Sequence, residues 1–194
     1  MSDYSPTYLV GLTCHPETNC QAVDSIKVDI GWQHDRALAL TYTLTGNYSR
    51  LRLPPTQLPA KVDGLWKHTC FEAFIAEMGI PAYWEFNFSP SSEWAVYHFR
   101  NYRDRAQSEE IPTPPKILVR LENNRLQLDA RIYLPPPLTS HPLRLALSAV
   151  IEDEIGKLSY WALKHPSGKP DFHHSDNFVL EVALPNENAS RKEN

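Results

Sequence analysis

Alternation of apolar and polar residues with a period of two, repeated along the chain, limits most strongly what this sequence can fold into. Five runs show it clearly: 26–32, 38–44, 126–132, 143–147 and 178–184. This period predicts strands that bury one face. Other apolar runs predict six more strands: 8–12, 70–77, 83–89, 94–99, 117–121 and 158–165. We therefore expect an all-β fold of about eleven strands, with short helical turns only at 56–65 and 101–107.

Prolines cluster in the connections between these runs, where they end strands and fill loops. The chain has 17 prolines and only 7 glycines. Asn123 and Asn124 join two predicted strands as a tight hairpin, since Asn tolerates positive φ. Many short strands separated by turns favour an antiparallel β-sandwich or flattened barrel. We expect a single domain at 1–185 and a disordered polar tail at 186–194.

Composition excludes several classes of function. The formal net charge of −4 and the lack of a basic run argue against nucleic-acid binding. No segment is long and apolar enough to cross a bilayer, and no signal peptide is evident, so we expect no membrane association. Three cysteines without a secretion signal favour reduced thiols and a cytoplasmic location. The oligomeric state stays open.

Trp66 and Glu72 are the strongest candidates for a binding site. Trp66 precedes a predicted strand in which Glu72 lies between Cys70 and Phe74 on one face. A carboxylate among apolar residues is costly to desolvate unless it is paired or contacts a ligand. An indole can stack on a sugar ring, and a carboxylate can accept hydrogen bonds from its hydroxyls. The alternative is a core Trp and a Glu on a solvated sheet face.

Polar residues of the next strand could share the Glu72 face. Glu85 and Asn87 alternate with aromatic residues, and two carboxyl groups together could act as acid and base. General burial tendencies favour a solvated Glu85 instead.

Other motifs point to no specific chemistry. The segment 171–176 contains two histidines and two aspartates, but it lacks repeated metal-ligand spacing, so we expect no metal. There is no nucleophile or phosphate-loop motif, and Cys70 is expected to be a core thiol. The chain is therefore predicted not to be an enzyme.

Several motifs together resemble a known family. They are Leu65–Ile75, Glu85–Pro90, Trp94-Ala95 with Tyr97, Asn101–Arg103 and Pro170–His174. In these motifs the chain resembles the bacterial DOMON-like proteins, which are related to family 9 carbohydrate-binding modules. The resemblance implies an antiparallel β-sandwich of about eleven strands.

The resemblance also implies a sugar site. In the sugar binders a Trp stands six residues before a Glu, and Trp66 and Glu72 reproduce that spacing. Trp161 would supply the second aromatic wall, and Arg103 or Arg100 a donor. The family's Asn three residues before the second Trp is replaced here by Leu158.

Haem is the alternative ligand in this superfamily, and it would take a Met and a late His. Met78 with His165 or His173 would then form a haem-binding electron-transfer module. The leading hypothesis is a non-catalytic domain without a cofactor that binds a sugar-like small molecule through Trp66, Glu72, Asn87, Arg103 and Trp161. A protein-interaction domain and a glycan-acting enzyme using Glu72 and Glu85 remain alternatives.

Overall fold

Twelve antiparallel strands make up the fold in a computed structural model that describes residues 6–107, 113–139 and 141–185. They are β1 (Pro6–Cys14), β2 (Val23–Trp32), β3 (Leu38–Gly46), β4 (Cys70–Glu77), β5 (Tyr83–Phe88), β6 (Trp94–Asn101), β7 (Asp104–Arg105), β8 (Lys116–Glu122), β9 (Arg125–Ile132), β10 (Leu143–Glu152), β11 (Leu158–Ala162) and β12 (Leu180–Val182). The all-β prediction is confirmed.

The strands form two sheets that share β1. Sheet A has the order β8-β9-β3-β2-β1, and sheet B the order β7-β6-β5-β4-β10-β11, with β12 beside β10. The first part of β1 pairs with β2, whereas Thr13 and Cys14 pair with β11. One strand therefore joins the two sheets at a corner of the sandwich.

The main core lies between the sheets, as the alternation predicts. Val28 and Leu40 of sheet A belong to the same buried cluster as Phe71 and Leu145 of sheet B. Tyr42 crosses this core from β3 and donates its hydroxyl to the backbone carbonyl of Glu72, at 2.7 Å. The antiparallel sandwich follows from this shared core.

The outer face of sheet B is also buried, although the alternation predicts one buried face. Every residue of β4 except Glu77, and every residue of β5, is buried. Phe74, Tyr83 and Phe99 form a second cluster on this outer face, against which Phe172 and Phe178 pack. The irregular segment 170–178, which carries Phe172 and Phe178, thus covers sheet B. We call this segment the roof, and the candidate site lies beneath it.

The eleven predicted strands are all present, with boundaries that differ by a few residues. The predicted helical turn at 101–107 is wrong: Tyr102 and Arg103 form the turn between β6 and β7, where Arg103 adopts a φ of +53°. The turn predicted at 56–65 is also wrong, because a 3₁₀ helix begins only at Leu65 and ends at Lys67. Asn123, with a φ of +47°, turns between β8 and β9 as predicted.

The predicted tail, 186–194, lies outside the described residues. Within the described ranges, no helix is long and apolar enough to span a membrane.

Candidate functional site

A cleft of about 410 Å³ opens on the outer face of sheet B. We call it the carboxyl cleft, after the two glutamates at its base. Its lining includes Trp66, Glu72, Glu85, Tyr97, Phe99, Arg103, Arg105, Tyr160, Phe172 and His173. The strands supply the base, and the segment around 170–173 and the 3₁₀ helix at Leu65–Lys67 supply the walls.

Trp66 forms one aromatic wall of the carboxyl cleft. Gly64, at a φ of +83°, lets the chain turn into the 3₁₀ helix that carries Trp66, in a conformation that other residues adopt only with strain. The indole is 39% exposed and meets the Tyr97 ring edge-on, with centroids 5.7 Å apart. The indole is therefore held in place and is still accessible to a ligand.

Glu72 and Glu85 lie diagonally on neighbouring strands, since Glu72 is opposite Asn87 and Glu85 is opposite Phe74. Oε1 of Glu85 accepts a hydrogen bond from the Asn87 amide at 2.7 Å. Oε2 of Glu72 accepts a longer bond, 3.4 Å, from the Ser148 hydroxyl. Oε1 of Glu72 is buried and has no hydrogen-bond partner among the described residues.

Burial raises the pKa of both carboxyl groups. The pKa of Glu85 rises to about 7 because of desolvation, although the Asn87 bond and Arg105 and Arg103 favour the charged form. Desolvation and the nearby charge of Glu85 raise the pKa of Glu72 well above its usual range, against the hydrogen bond from Ser148. Burial therefore favours the neutral form of both groups, and the nearby charge of Glu85 favours it further at Glu72.

The raised pKa of Glu72 changes the role that the sequence predicted for this residue. A carboxylate can only accept hydrogen bonds, as we predicted for this residue, whereas a neutral carboxyl group offers one donor and one acceptor. A neutral Glu72 can therefore donate a hydrogen bond to a ligand oxygen or accept one from a ligand hydroxyl group.

Two hydrogen bonds connect the β6–β7 turn to His173, which faces Glu85. The backbone N–H of Arg103 donates to the Tyr83 hydroxyl at 3.2 Å, and this hydroxyl lies 2.8 Å from Nδ1 of His173. We expect the hydroxyl to donate its own hydrogen to Nδ1. Burial, helped by the charge of Arg103, lowers the pKa of His173 to about 4. A neutral imidazole that accepts at Nδ1 carries its hydrogen on Nε2, which lies 3.7 Å from Oε2 of Glu85, beyond hydrogen-bond distance.

Two arginines bring positive charge to the carboxyl cleft. Arg103 donates to Asp171 at 2.7 Å and so ties the β6–β7 turn to the roof. Arg105 stacks on the Tyr97 ring at 4.0 Å from its centroid. Asp171 also accepts a hydrogen bond from Tyr102, at 2.7 Å, which strengthens this connection.

The structure brings together three of the five predicted site residues: Trp66, Glu72 and Arg103 all line the carboxyl cleft. Asn87 lies beneath it, completely buried, and orients Glu85. Arg100, the alternative to Arg103, is exposed and pairs with Asp104.

Trp161 does not form a wall of the carboxyl cleft. It is 7% exposed, belongs to the core between the sheets and donates its indole N–H to Ser159 at 3.1 Å. Because neighbouring residues of a strand face opposite sides, Tyr160 is the β11 residue that reaches the cleft. The predicted Trp66–Trp161 pair of walls is therefore corrected to a wall that includes Tyr160.

The predicted haem ligands occupy separate places. Met78 is 41% exposed in the turn after β4 and lines neither of the two clefts that His173 lines. His165 bonds through Nε2 to the carbonyl of Thr13 at 2.8 Å. In the part of the chain that the structure describes, no group of three His, Cys, Asp or Glu side chains is arranged to hold a metal ion.

Sequence reasoning missed several residues that line the carboxyl cleft. Tyr97, Arg105, Tyr160 and Phe172 are not among the predicted site residues, and burial tendencies favoured a solvated Glu85. The strand period could have identified some of them. Every second residue of β4 counted from Glu72, and every second residue of β5 counted from Glu85, lies on the face of sheet B that forms the cleft. The strand period does not predict that the roof covers this face.

Comparison with solved structures supports the fold. The chain is similar to a protein from Bacteroides uniformis ATCC 8492, described provisionally as carbohydrate-binding, with a TM-score of 0.63 and 14% identity over 88% of this chain and 84% of that one. It is also similar to a family 9 carbohydrate-binding module from Caldicellulosiruptor kristjanssonii. The complex with cellotriose gives a TM-score of 0.48 at 14% identity, over 86% of this chain and 73% of that one. The complex with glucose gives 0.45 at 14% identity, over 81% and 76%. No protein-family model and no curated protein matches the chain.

Proposed function

We propose that this protein is a non-catalytic domain that binds a carbohydrate or a similar hydroxyl-rich molecule in the carboxyl cleft. One observation carries the proposal: a buried carboxyl oxygen, Oε1 of Glu72, has no hydrogen-bond partner among the described residues and lies at the base of an open cleft that has an exposed indole as a wall. The resemblance to bacterial DOMON-like proteins, noted in the sequence, is part of the proposal.

The aromatic walls suit the apolar faces of a sugar ring. Trp66 is exposed and braced by Tyr97, while Tyr160 and Phe172 pack edge to face with their centroids 5.9 Å apart. Aromatic rings that are fixed before binding lose little entropy when a ligand stacks on them. The volume of about 410 Å³ falls within the range usual for small-molecule sites.

The polar groups suit hydroxyls. Glu72 offers a donor and an acceptor, Glu85 a carboxylate, and Arg103 and Arg105 charged donors. Charge-assisted hydrogen bonds in a partly dry cleft are stronger than neutral ones. A ligand that carries several hydroxyl groups can pair with all of these side chains, whereas an apolar ligand would leave them unpaired.

The fold agrees with this proposal. The Bacteroides uniformis protein that shares it is described, provisionally, as carbohydrate-binding. Fold similarity alone does not define a site, so the argument rests on the cleft itself.

Calorimetry with glucose, cellobiose and a panel of other neutral sugars tests the proposal. At least one sugar should bind saturably, and Trp66→Ala and Glu72→Gln should each weaken it by about tenfold or more. Leu118→Ala and Glu122→Gln, on exposed positions of β8, are the matched controls and should leave the affinity unchanged. The proposal fails if no sugar binds, or if the cleft variants bind as tightly as the controls.

A glycan-acting enzyme is the second candidate, favoured by two buried carboxyl groups with raised pKa values in one cleft. Release of reducing ends or of an aryl leaving group should then be lost in both Glu72→Gln and Glu85→Gln. Binding without turnover across the same panel would favour the non-catalytic proposal.

A further inference from the structure

A second cleft, of about 450 Å³, lies on the other side of His173. We call it the arginine cleft. Its polar lining includes Arg144, Asn101, His174 and Ser175, and Tyr83 and Phe178 supply aromatic surface. None of the residues that line it is acidic. It therefore differs in charge from the carboxyl cleft, although His173 lines both.

The Arg144 guanidinium is held in place by few contacts, so it has N–H groups that could donate hydrogen bonds to a ligand. It extends from β10, where its cross-strand neighbours are Ala76 and Glu181. Nη2 makes one long hydrogen bond, 3.4 Å, to the carbonyl of Ile80, and the guanidinium lies 5.9 Å from the centroid of Phe178. Nε is buried and has no hydrogen-bond partner among the described residues. A buried donor without a partner costs free energy, so an acceptor atom of a ligand placed beside this N–H would stabilise the protein.

The neighbouring side chains also present donors. Nδ1 of His174 accepts the backbone N–H of Asp176 at 3.2 Å, which leaves the hydrogen on Nε2. Oδ1 of Asn101 accepts the backbone N–H of Tyr102 at 2.8 Å, which leaves the amide NH₂ to donate. Ser175 adds a hydroxyl. The arginine cleft is therefore rich in donors.

We propose that the arginine cleft binds an oxyanion, as a carboxylate, sulfate or phosphate group of a small molecule, with Arg144 as its main ligand. A planar guanidinium matches two oxygens of such a group at once. The site does not depend on the function proposed for the carboxyl cleft.

NMR titration of the full chain tests this site. Inorganic sulfate, inorganic phosphate and glucuronate are the probes, and glucose is the uncharged reference. The readouts are the Arg144 Nε–H signal in the wild type and the backbone amide signals of Asn101 and Ser175 in every variant. At least one oxyanion should shift these signals saturably, and glucose should not. Arg144→Gln should weaken binding by about tenfold or more, with an intermediate loss in Arg144→Lys, which keeps the charge without the fork.

The matched control is Arg50→Gln, which removes an exposed arginine paired with Glu154 on another part of the surface. It should leave oxyanion binding unchanged. The proposal is overturned if no probe gives a saturable shift, or if Arg50→Gln and Arg144→Gln lose affinity equally. Binding of glucuronate but not of the inorganic ions would assign the oxyanion to a sugar acid.

A separate observation concerns β8, the last strand of sheet A. It pairs with β9 on one side, and no described strand pairs on its other side. Leu118 and Leu121 are 55% and 49% exposed. An edge with unpaired backbone groups and exposed leucines is a template for another strand.

The charges of β8 select one antiparallel register with a second copy. In the antiparallel register centred on Val119, Lys116 of each copy lies opposite Glu122 of the other copy, which gives two such pairs. Leu118 then lies opposite Arg120. Because cross-strand pairs preserve the face, Lys116 and Glu122 would meet on the solvent side. A shift of the register by two residues in one direction places Arg120 opposite Arg120 of the other copy. A shift by two residues in the other direction places Lys116 opposite Arg120. Both shifted registers therefore bring like charges together. From this complementarity we infer that β8 pairs with β8 of a second copy to form a symmetric dimer.

Charge reversal tests the dimer by sedimentation equilibrium. Lys116→Glu and Glu122→Lys should each weaken association by about tenfold, since each creates two like-charge pairs. The double variant restores opposite charges in the same register and should dimerise like the wild type. A monomeric wild type overturns the inference, as does a dimer that is insensitive to the single changes or a double variant that fails to recover. Circular dichroism checks that each variant is folded.

Discussion

The Tyr83 hydroxyl lies 2.8 Å from Nδ1 of His173 and accepts the backbone N–H of Arg103 at 3.2 Å. We expect it to donate its own hydrogen to Nδ1, which favours the Nε2–H tautomer of the imidazole. These contacts come from β5 and the β6–β7 turn, not from the roof that carries His173. The side of His173 that meets Glu85 is thus set by sheet B.

Tyr83→Phe removes this control. We expect a loss of folding stability on the order of 1 kcal/mol, because one buried hydrogen bond is lost. In the wild type, ¹⁵N chemical shifts of His173 should show the hydrogen on Nε2, and in the variant they should show a mixture of tautomers. Tyr133→Phe, which removes a hydroxyl that donates to Asp35 outside the cleft, should leave the His173 shifts unchanged. Identical shifts in wild type and Tyr83→Phe would contradict the expected hydrogen bond from Tyr83 to Nδ1 of His173.

Glu85→Gln should change how stability depends on pH. Because the pKa of Glu85 is raised from 4.5 to about 7, the folded state binds more protons than the unfolded state between these values. The wild type therefore loses stability as pH rises through this window. Relative to the wild type, Glu85→Gln should gain on the order of 3 kcal/mol between pH 4.5 and 7. Urea unfolding at a series of pH values measures the difference, which should stay constant for the exposed control Glu17→Gln.

His173→Gln should show the opposite trend. The pKa of His173 is lowered from 6.5 to about 4, so the folded state binds fewer protons and the wild type loses stability as pH falls through that window. The variant should therefore gain on the wild type toward acid pH, in the same unfolding experiment. A gain toward neutral pH instead would mean that the imidazole is charged in the folded protein.

Tyr160 and Trp161 should separate binding from stability. Tyr160→Ala should weaken a ligand of the carboxyl cleft because it removes part of the wall, whereas Trp161→Phe should destabilise the core and leave affinity unchanged. Truncation to Trp161→Ala would cost about 3–5 kcal/mol. Calorimetry and thermal unfolding, measured on the same samples, distinguish the two. Loss of affinity in a folded Trp161→Phe would place that indole in the site.

Asp171→Asn should loosen the roof. Its carboxylate accepts from both Arg103 and Tyr102, and these hydrogen bonds, against the effect of burial, lower its pKa. Hydrogen exchange should become faster in segment 170–178, while the inner strands β4 and β10 keep their protection. Arg100→Gln, which breaks an exposed pair with Asp104, is the control and should not change exchange in the roof.

The strands were predictable because their burial follows the period of two. Trp66 and Glu72 were predictable because a carboxyl group among apolar strand residues close to an indole suggests a ligand. The roof was not predictable, because Phe172 lies in an irregular segment, where no period reports burial. The run 178–184 put Phe178 on the face of Leu180 and Val182, but Phe178 precedes β12 and packs against the outer cluster. Trp161 was misassigned because a large aromatic residue suits a core and a binding wall equally well, and only the parity of β11 distinguishes them. Glu85 was misjudged because its burial depends on the same roof.

The shared strand β1 has a consequence for the order in which the chain folds during synthesis. Its last residues, Thr13 and Cys14, pair with Ala162 and Trp161, which leave the ribosome nearly a whole chain later. Until then the N-terminal strand can pair only with β2, and sheet B has no neighbour along that edge. Closure of the sandwich is therefore a late step that joins the two ends of the sequence, and truncation before β11 should leave a nascent chain that binds chaperones.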